Sequence, residues 1–482
     1  MKSVISLLMA LCISFFFSFR VVEAKAYQYW VRDVPTTENM KATTPQELCR
    51  YYFRTEGANY LGAGNTSYDG SLDIYANPQD FRCTMYANPY YYYQHEIQFA
   101  YLKLFTGDCP DDTSLEFSTG SCKANSQKGV SEESRLCSIS NNPSSVRGDP
   151  INAANGNNYQ VELDAVVGVR HPIVMKRYYN SSDGVWRHSY SDYLTFADST
   201  VNVVRDDGKE SIYTLSNGVY TSYTDSGILS ATSSGWVYVS SDGQSYYFNL
   251  AGKLVQLTDD TGDIFSVAYN NDAIVVTNID GLMVTMTEDG LHQLQTLTTP
   301  NAQFTYALNL TRIENVQKTM GGVTTTRQYV YQDNGYFKTL LTGIIDERGI
   351  QFATWTYDTS TSLRPTLTAE HADGAEKTTF VYGDTSTTVT NELGKQLVFQ
   401  FQTIHGAKLI TAIQGEPSAN CPASNSSYTY NDQGQVLTKT DAKGFITTYT
   451  YNDRGLEISR TEASGTPQAR TTTTEWDPTR FL

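Results

Sequence analysis

Glycine corners and paired aromatic rings recur at near-constant spacing along the carboxyl-terminal part of this chain, and few folds accommodate such a rhythm. Tyr428-Thr-Tyr430-Asn431-Asp432-Gln433-Gly434 is followed by Asp441-Ala-Lys-Gly444 and then by Tyr449-Thr-Tyr451-Asn452-Asp453-Arg454-Gly455. Between the corners lie short runs rich in β-branched and aromatic residues, such as Gln435 to Thr440 and Phe445 to Tyr451. Such runs read as strands. Asn and Asp bond their own backbone in turns, and Gly supplies a positive φ, so each cluster closes a hairpin. The unit is strand, turn, strand, turn.

The unit repeats upstream. An aromatic two residues before a second large ring occurs at Tyr329/Tyr331, Trp355/Tyr357, Phe380/Tyr382, Phe399/Phe401, Tyr428/Tyr430 and Tyr449/Tyr451. Pairs follow Gly349 and Gly374 by six and eight residues, and Gly394 and Gly444 by five and seven. Val267/Tyr269 after Gly262 is a weaker copy. Positions i and i+2 share one face of a strand, so each repeat aims two rings the same way. A period of roughly 20–26 residues marks a repeat architecture, in which no unit is stable alone and stacked neighbours share a core. The expected fold is mainly β, built of antiparallel strand-turn-strand repeats. Rings of successive repeats are expected to stack in ladders on one face, each cross-strand contact contributing roughly 0.2–1 kcal/mol.

Residues 1–26 read as a secretory signal, with Lys2, an apolar run from Val4 to Phe19 and an Ala24-Lys-Ala26 cleavage site. The mature chain is therefore expected outside the cytoplasm, secreted or at the cell surface. A net charge of −16 argues against a nucleic-acid partner. Six cysteines follow the signal: Cys49, Cys83, Cys109, Cys122, Cys137 and Cys421. In an oxidising compartment they are expected to pair, which would staple residues 27–140 as a small domain. That domain is rich in tyrosine, including Tyr90 to Tyr93. Its rings suit either a ligand surface, for sugars for instance, or the filling of a small core. Pro45 to Phe53 and Gln94 to Phe105 read as short helices.

After a linker at Ser138 to Ser145 comes Gly148-Asp149-Pro150-Ile151-Asn152, with Gly156 closing the motif, then Glu162, Asp164 and Arg177-Tyr-Tyr-Asn180. This opening resembles the entry segment of Rhs (rearrangement hotspot) proteins, and the downstream units resemble their YD repeats. The likeness covers roughly residues 146–482, divided into an entry-like β region at 141–240 and YD-type repeats at 241–482. It implies that the sheet spirals into a shell that shields a carboxyl-terminal toxin used between competing bacteria. The Asp-Pro-x-Gly self-cleavage motif of some relatives is not matched. Ile151 and Asn152 follow Asp149-Pro150, and Thr479 and Arg480 follow Asp477-Pro478. No toxin domain is recognised, so the chain reads as the amino-terminal part of a shell, truncated in the repeats. Its expected partners are the missing toxin or shell continuation, or a second polypeptide at the open sheet edge.

No catalytic constellation emerges. His171, His188, His292, His371 and His405 are scattered, most carboxylates stand in turn clusters, and no metal or cofactor motif occurs. The expectation is a non-enzyme without cofactors. The alternative is a surface-binding or adhesive protein whose aromatic rows and Tyr-rich head hold glycans.

Overall fold

The computed structural model describes strand backbone within residues 25–124, then residues 127–129, 143–148 and 150–476 apart from short internal stretches. Among these residues every regular element longer than a single turn is a β-strand. The dominant feature is one antiparallel sheet of 23 strands, from Ile228–Thr232 to Arg470–Thr473, in which spatial order equals chain order.

The corners of this sheet explain its regularity. At Asp441, Oδ1 accepts from the amides of Lys443 and Phe445, both at 2.9 Å. The backbone closes the same loop, Asp441 N donating to Phe445 O and Gly444 N to Asp441 O. Asn431, Asn391, Asp346, Asn278 and Asp259 build the same two-amide clasp. The turn carboxylates are thus structural, as their sequence setting implies. The fourth residue needs the left-handed region, and Gly444 sits there at φ 85°.

Rings of one pair share the buried face, as the two-residue spacing requires. Tyr329, Tyr331, Trp355, Tyr357, Phe380, Phe399, Phe401, Tyr428 and Tyr449 are buried, whereas Tyr382, Tyr430 and Tyr451 are half-buried. Stacking occurs within the pairs Phe380/Tyr382 and Phe399/Phe401, with centroids 6.2 Å apart in each. Repeat is joined to repeat differently. The second tyrosine donates its hydroxyl to a carbonyl on the preceding strand: Tyr331 to Ile313, Tyr357 to Leu341, Tyr382 to Thr366, Tyr430 to Ile410 and Tyr451 to Val436, at 2.6–2.9 Å. A register shift falls at the second ring in several repeats, including Tyr331, Tyr357, Phe401, Tyr430 and Tyr451. An extra residue there bends the strand and increases its twist.

Repeated bends curl the sheet. Twenty strand spacings separate Ile228–Thr232 from Ile446–Tyr451, which in a flat sheet would be roughly 95 Å at about 4.8 Å each. Yet a Cβ placed on Gly455 would lie 4.0 Å from that of Ser226, two residues before the first strand. The outer face is wet and carries threonine pairs bonded across strands, such as Thr356–Thr368 and Thr429–Thr438.

Ahead of the sheet lie the hairpin Val146–Arg147/Ile151–Asn152, the three-stranded sheet Tyr159–Val167, Ile173–Asn180, Val185–His188, and the four-stranded sheet from Tyr193–Ala197 to Val219–Thr221. The continuous sheet begins at Ile228, inside the segment read as entry region.

Farther upstream, a six-stranded sheet is ordered Lys41–Ala42, Lys25–Arg32, Glu96–Cys109, Asp80–Ala87, Thr66–Ser67, with Leu72–Ile74 also on Asp80–Ala87. The helix expected at Gln94 to Phe105 is therefore corrected to a strand. A short apolar run is ambiguous between the two states, and partners on both edges of Glu96–Cys109 decide it. The other helix candidate, Pro45 to Phe53, lies outside the described residues. Cys83, Cys109 and Cys122 fall on described strand backbone, while Cys49, Cys137 and Cys421 fall outside it.

Removing the hydroxyl of Tyr357 deletes its bond to Leu341 O and leaves the buried Asn158 amide without its 2.8 Å acceptor. Tyr357→Phe is expected to lower unfolding free energy by about 1–3 kcal/mol, and Tyr451→Phe, half-buried, by about 0.5–1.5 kcal/mol. Urea unfolding midpoints check both, and equal small shifts would contradict the account.

Candidate functional site

The inner face of the sheet is where this molecule concentrates its chemistry. A sheet with an aromatic inner face needs a cover, and the described residues between 127 and 221 provide it. From Gln127 to Asn158 their contacts run in reverse order along the sheet; farther on His171 reaches Asp263, and Tyr179 and Trp186 return to strands nearer its middle. Gln127 bonds Lys408, Arg147 lies over the Phe399 ring at 4.9 Å, and Ala153 O accepts from Thr387 Oγ1. Gly156 O accepts from Thr366, and Asn158 reaches Tyr357. Tyr179 spans Thr339 O and Leu341 N, Trp186 Nε1 reaches Tyr331, and His171 pairs with Asp263. The segment is a spine laid across successive strands.

The entry motif supplies the spine's joints. Asn152 Oδ1 accepts from Ala154 N and Ser145 Oγ, bracing the hairpin. Asn157 bridges to Asn180 and to Ser182 N. Gly156, at φ 78°, touches the sheet so closely that a Cβ would stand 2.5 Å from the Pro365 Cα. Arg177-Tyr-Tyr-Asn180 divides its work along one strand. Tyr178 stacks on Tyr159, Tyr179 bonds the sheet, and Asn180 ties Gly129, Asn157 and Asp207 together.

Arg177 is the electrostatic centre. Its side chain is 1% exposed, with Nε and Nη2 on the two oxygens of Asp164 at 2.8 and 3.0 Å. Nη2 also donates to Tyr329 Oη, and the guanidinium lies 5.0–5.4 Å from the ring centres of Trp186, Tyr306 and Tyr329. Burial works against this charge, but Asp164 and Tyr329 hold it well above the ordinary arginine value. Tyr306 donates to Asp164 as well, and Glu162 takes Tyr329 Oη and Arg327. Sequence reasoning picked out Glu162, Asp164 and Arg177 as motif residues, without a role for them. A second network joins Lys128 and Arg187 to Asp183. Burial penalises the Asp183 carboxylate, yet the two cations hold it far below the usual carboxylate range. A third sets His188 and His292 on opposite oxygens of Glu288 at 3.1 and 3.0 Å.

Of the repeat positions read from sequence, Tyr331, Tyr357, Tyr382, Tyr430 and Tyr451 make the carbonyl bonds, and Phe401 packs against Phe399 without a hydroxyl. Gly349, Gly374, Gly394 and Gly444 all adopt positive φ at corners with open space around them. The spine joints were missed as contacts, since no local pattern announces a partner 200 residues away. Among the described residues no three His, Cys, Asp or Glu side chains converge as a metal site. Tyr90 and Tyr92 lie outside the described residues.

Two expectations test the spine. Gly156→Ala meets Pro365 backbone and an unfavourable φ together, whereas Gly394→Ala meets only the φ cost of about 1–2 kcal/mol. The Gly156 variant should lose clearly more stability, read by urea unfolding, and equal losses would sink the close-approach argument. Burial also pushes the phenols of Tyr179, Tyr306, Tyr329, Tyr331 and Tyr357 above their usual value. The unfolded chain gives up these protons near pH about 10, while the folded chain keeps them. Their contribution is complete below that pH and is lost as pH rises through it, so the urea midpoint should fall steeply above pH about 10. A flat profile would contradict it.

Comparison with known proteins gives two family matches: a domain of unknown function (DUF6531) over residues 148–213, and the RHS Repeat over residues 430–467. The first coincides with much of the spine. The solved TcdB2-TccC3 crystal structure is 11% identical over 82% of this chain and 24% of its own, with a TM-score of 0.27. A Photorhabdus luminescens Tc holotoxin pore is 11% identical over 85% of this chain and 23% of its own, also at 0.27. The chain thus spans about a quarter of the length of those chains. A porin-like protein from Bacteroides uniformis is 11% identical over 59% of this chain and 95% of its own, at 0.16. No curated protein sequence matches. The match at residues 430–467 falls on one copy of the Asx-cornered strand unit that recurs along the sheet, so the chain carries an RHS repeat there and is similar in that segment to Rhs/YD-repeat proteins.

Proposed function

We propose that this chain forms part of the wall of an Rhs-type shell that surrounds a toxin segment and keeps it from solvent until release. The observation that carries the reading is a single 23-stranded sheet that curls, with its aromatic face turned inward and braced by a spine. The wall acts sterically, without chemistry of its own, after export directed by residues 1–26. Residues 27–140 serve as a cap or delivery domain, four of Cys49, Cys83, Cys109, Cys122 and Cys137 pairing in an oxidising compartment and the fifth reaching Cys421 or a cysteine of another chain. The edge of the strand Arg470–Thr473, whose four residues are exposed, offers backbone groups to a further strand. That strand comes from a continuation of the polypeptide or from a second one.

The test is protease protection. The protein is purified from its source with whatever it carries and digested with a broad-specificity protease at graded urea. A carried segment should resist cleavage until the urea concentration at which the sheet itself unfolds. Purification without any carried polypeptide, or cleavage of that polypeptide in zero urea at the rate of an unfolded peptide, overturns the proposal.

A further inference from the structure

Beside Arg177 the spine and the sheet leave a cleft of about 370 Å³. Val161, Leu163, Phe304 and Phe352 supply apolar lining, and the charge comes from Arg177, Lys318 and Arg327 set against Glu162, Asp164 and Glu347. Val161 and Leu163 are 44% and 60% exposed, so the cleft opens to solvent. Its floor is Tyr159–Val167, an edge strand of the three-stranded sheet, paired on one side by Ile173–Asn180.

Three carboxylates and three cations line this cleft, but their hydrogen-bond donors are unevenly met. Each carboxylate is engaged: Asp164 by Arg177 and Tyr306, Glu162 by Arg327 and Tyr329, and Glu347 by Arg327 at 3.5 Å. Among the cations Arg327 is paired, and Arg177 is paired through Nε and Nη2, but two donors are not met. Arg177 Nη1 is buried without a hydrogen-bond acceptor. Lys318 has no carboxylate partner among the described residues, and its ammonium rests over the Phe304 ring at 5.4 Å. A buried donor left unmade costs about 1–3 kcal/mol, more when it is charged. A carboxylate joined to a short hydrocarbon has the acceptors for such donors and the apolar surface for such a lining.

We propose that this cleft binds a carboxylate with a short apolar neighbour, its oxygens on Lys318 Nζ and Arg177 Nη1 and its hydrocarbon against Val161, Leu163 and Phe352. Two sources share that chemistry, a free small organic acid and an acidic side chain of an extended peptide lying along the edge strand. The site stands whether or not the sheet encloses a cargo.

Ligand-observed NMR titration of the full chain decides, using hexanoate, hexanamide, a capped tripeptide with glutamate between two leucines, and its glutamine counterpart. The acid of each pair should bind about tenfold more tightly than its neutral match. Lys318→Met should remove that difference and Lys318→Arg should keep it, with circular dichroism confirming that both variants fold. Binding of hexanoate points to a free acid, and binding of the glutamate tripeptide alone points to a peptide. Equal binding of acid and amide, no binding of either acid, or an acid preference that survives Lys318→Met would overturn the site. Protease protection of a carried segment is a separate readout, so failure of one proposal is distinguishable from failure of the other.

Discussion

A wide sheet with one aromatic face cannot leave that face in water, and the need to cover it governs everything else in this molecule. Fully burying one large apolar side chain contributes about 1.5–3 kcal/mol, and the inner face carries dozens, from Leu229 to Tyr449. Helices cover such faces in many proteins. Here other β segments do so, and their own polar backbone and side chains need partners in turn. That is why the interface is dense with hydrogen bonds from Asn152, Asn157, Asn158, Asn180 and the tyrosine hydroxyls. Polar groups can be buried here because most are met, Arg177 Nη1 and Trp355 Nε1 being among the exceptions.

Arg177 shows the same bargain at its sharpest. Breaking a buried ion pair by removing one partner costs about 3–5 kcal/mol, whereas an apolar replacement of the whole pair is often neutral. The Arg177–Asp164 pair therefore contributes less to net stability than to register. It fixes which strand of the spine faces Tyr306 and Tyr329, and a slip of one residue would bury an unpaired guanidinium.

Much of the sheet was legible in the sequence, because its information is local. A corner such as Asp441 to Phe445 is specified by one acceptor, two amides and one glycine within five residues. The pairing of rings on one face follows from the two-residue period. One link between repeats was not legible: the hydroxyl of Tyr357 or Tyr451 reaches a carbonyl on the neighbouring strand. Glu96–Cys109 was misread because partners on both of its edges, not its own composition, make it a strand. The spine was legible only as a motif. Its Arg, Asp and Asn residues stood out, but their partners sit on strands that share no periodic relation with them.

The wide spread of chain separations at which the spine meets the sheet has a thermodynamic consequence. Its anchors close loops as different as the 92 residues between His171 and Asp263 and the 281 between Gln127 and Lys408. Chain-closure entropy grows only logarithmically, so the longer of these loops costs about 1 kcal/mol more than the other. One hydrogen bond offsets that increment. A scaffold of this kind can accept strand after strand from ever more distant parts of the polypeptide at nearly constant entropic cost.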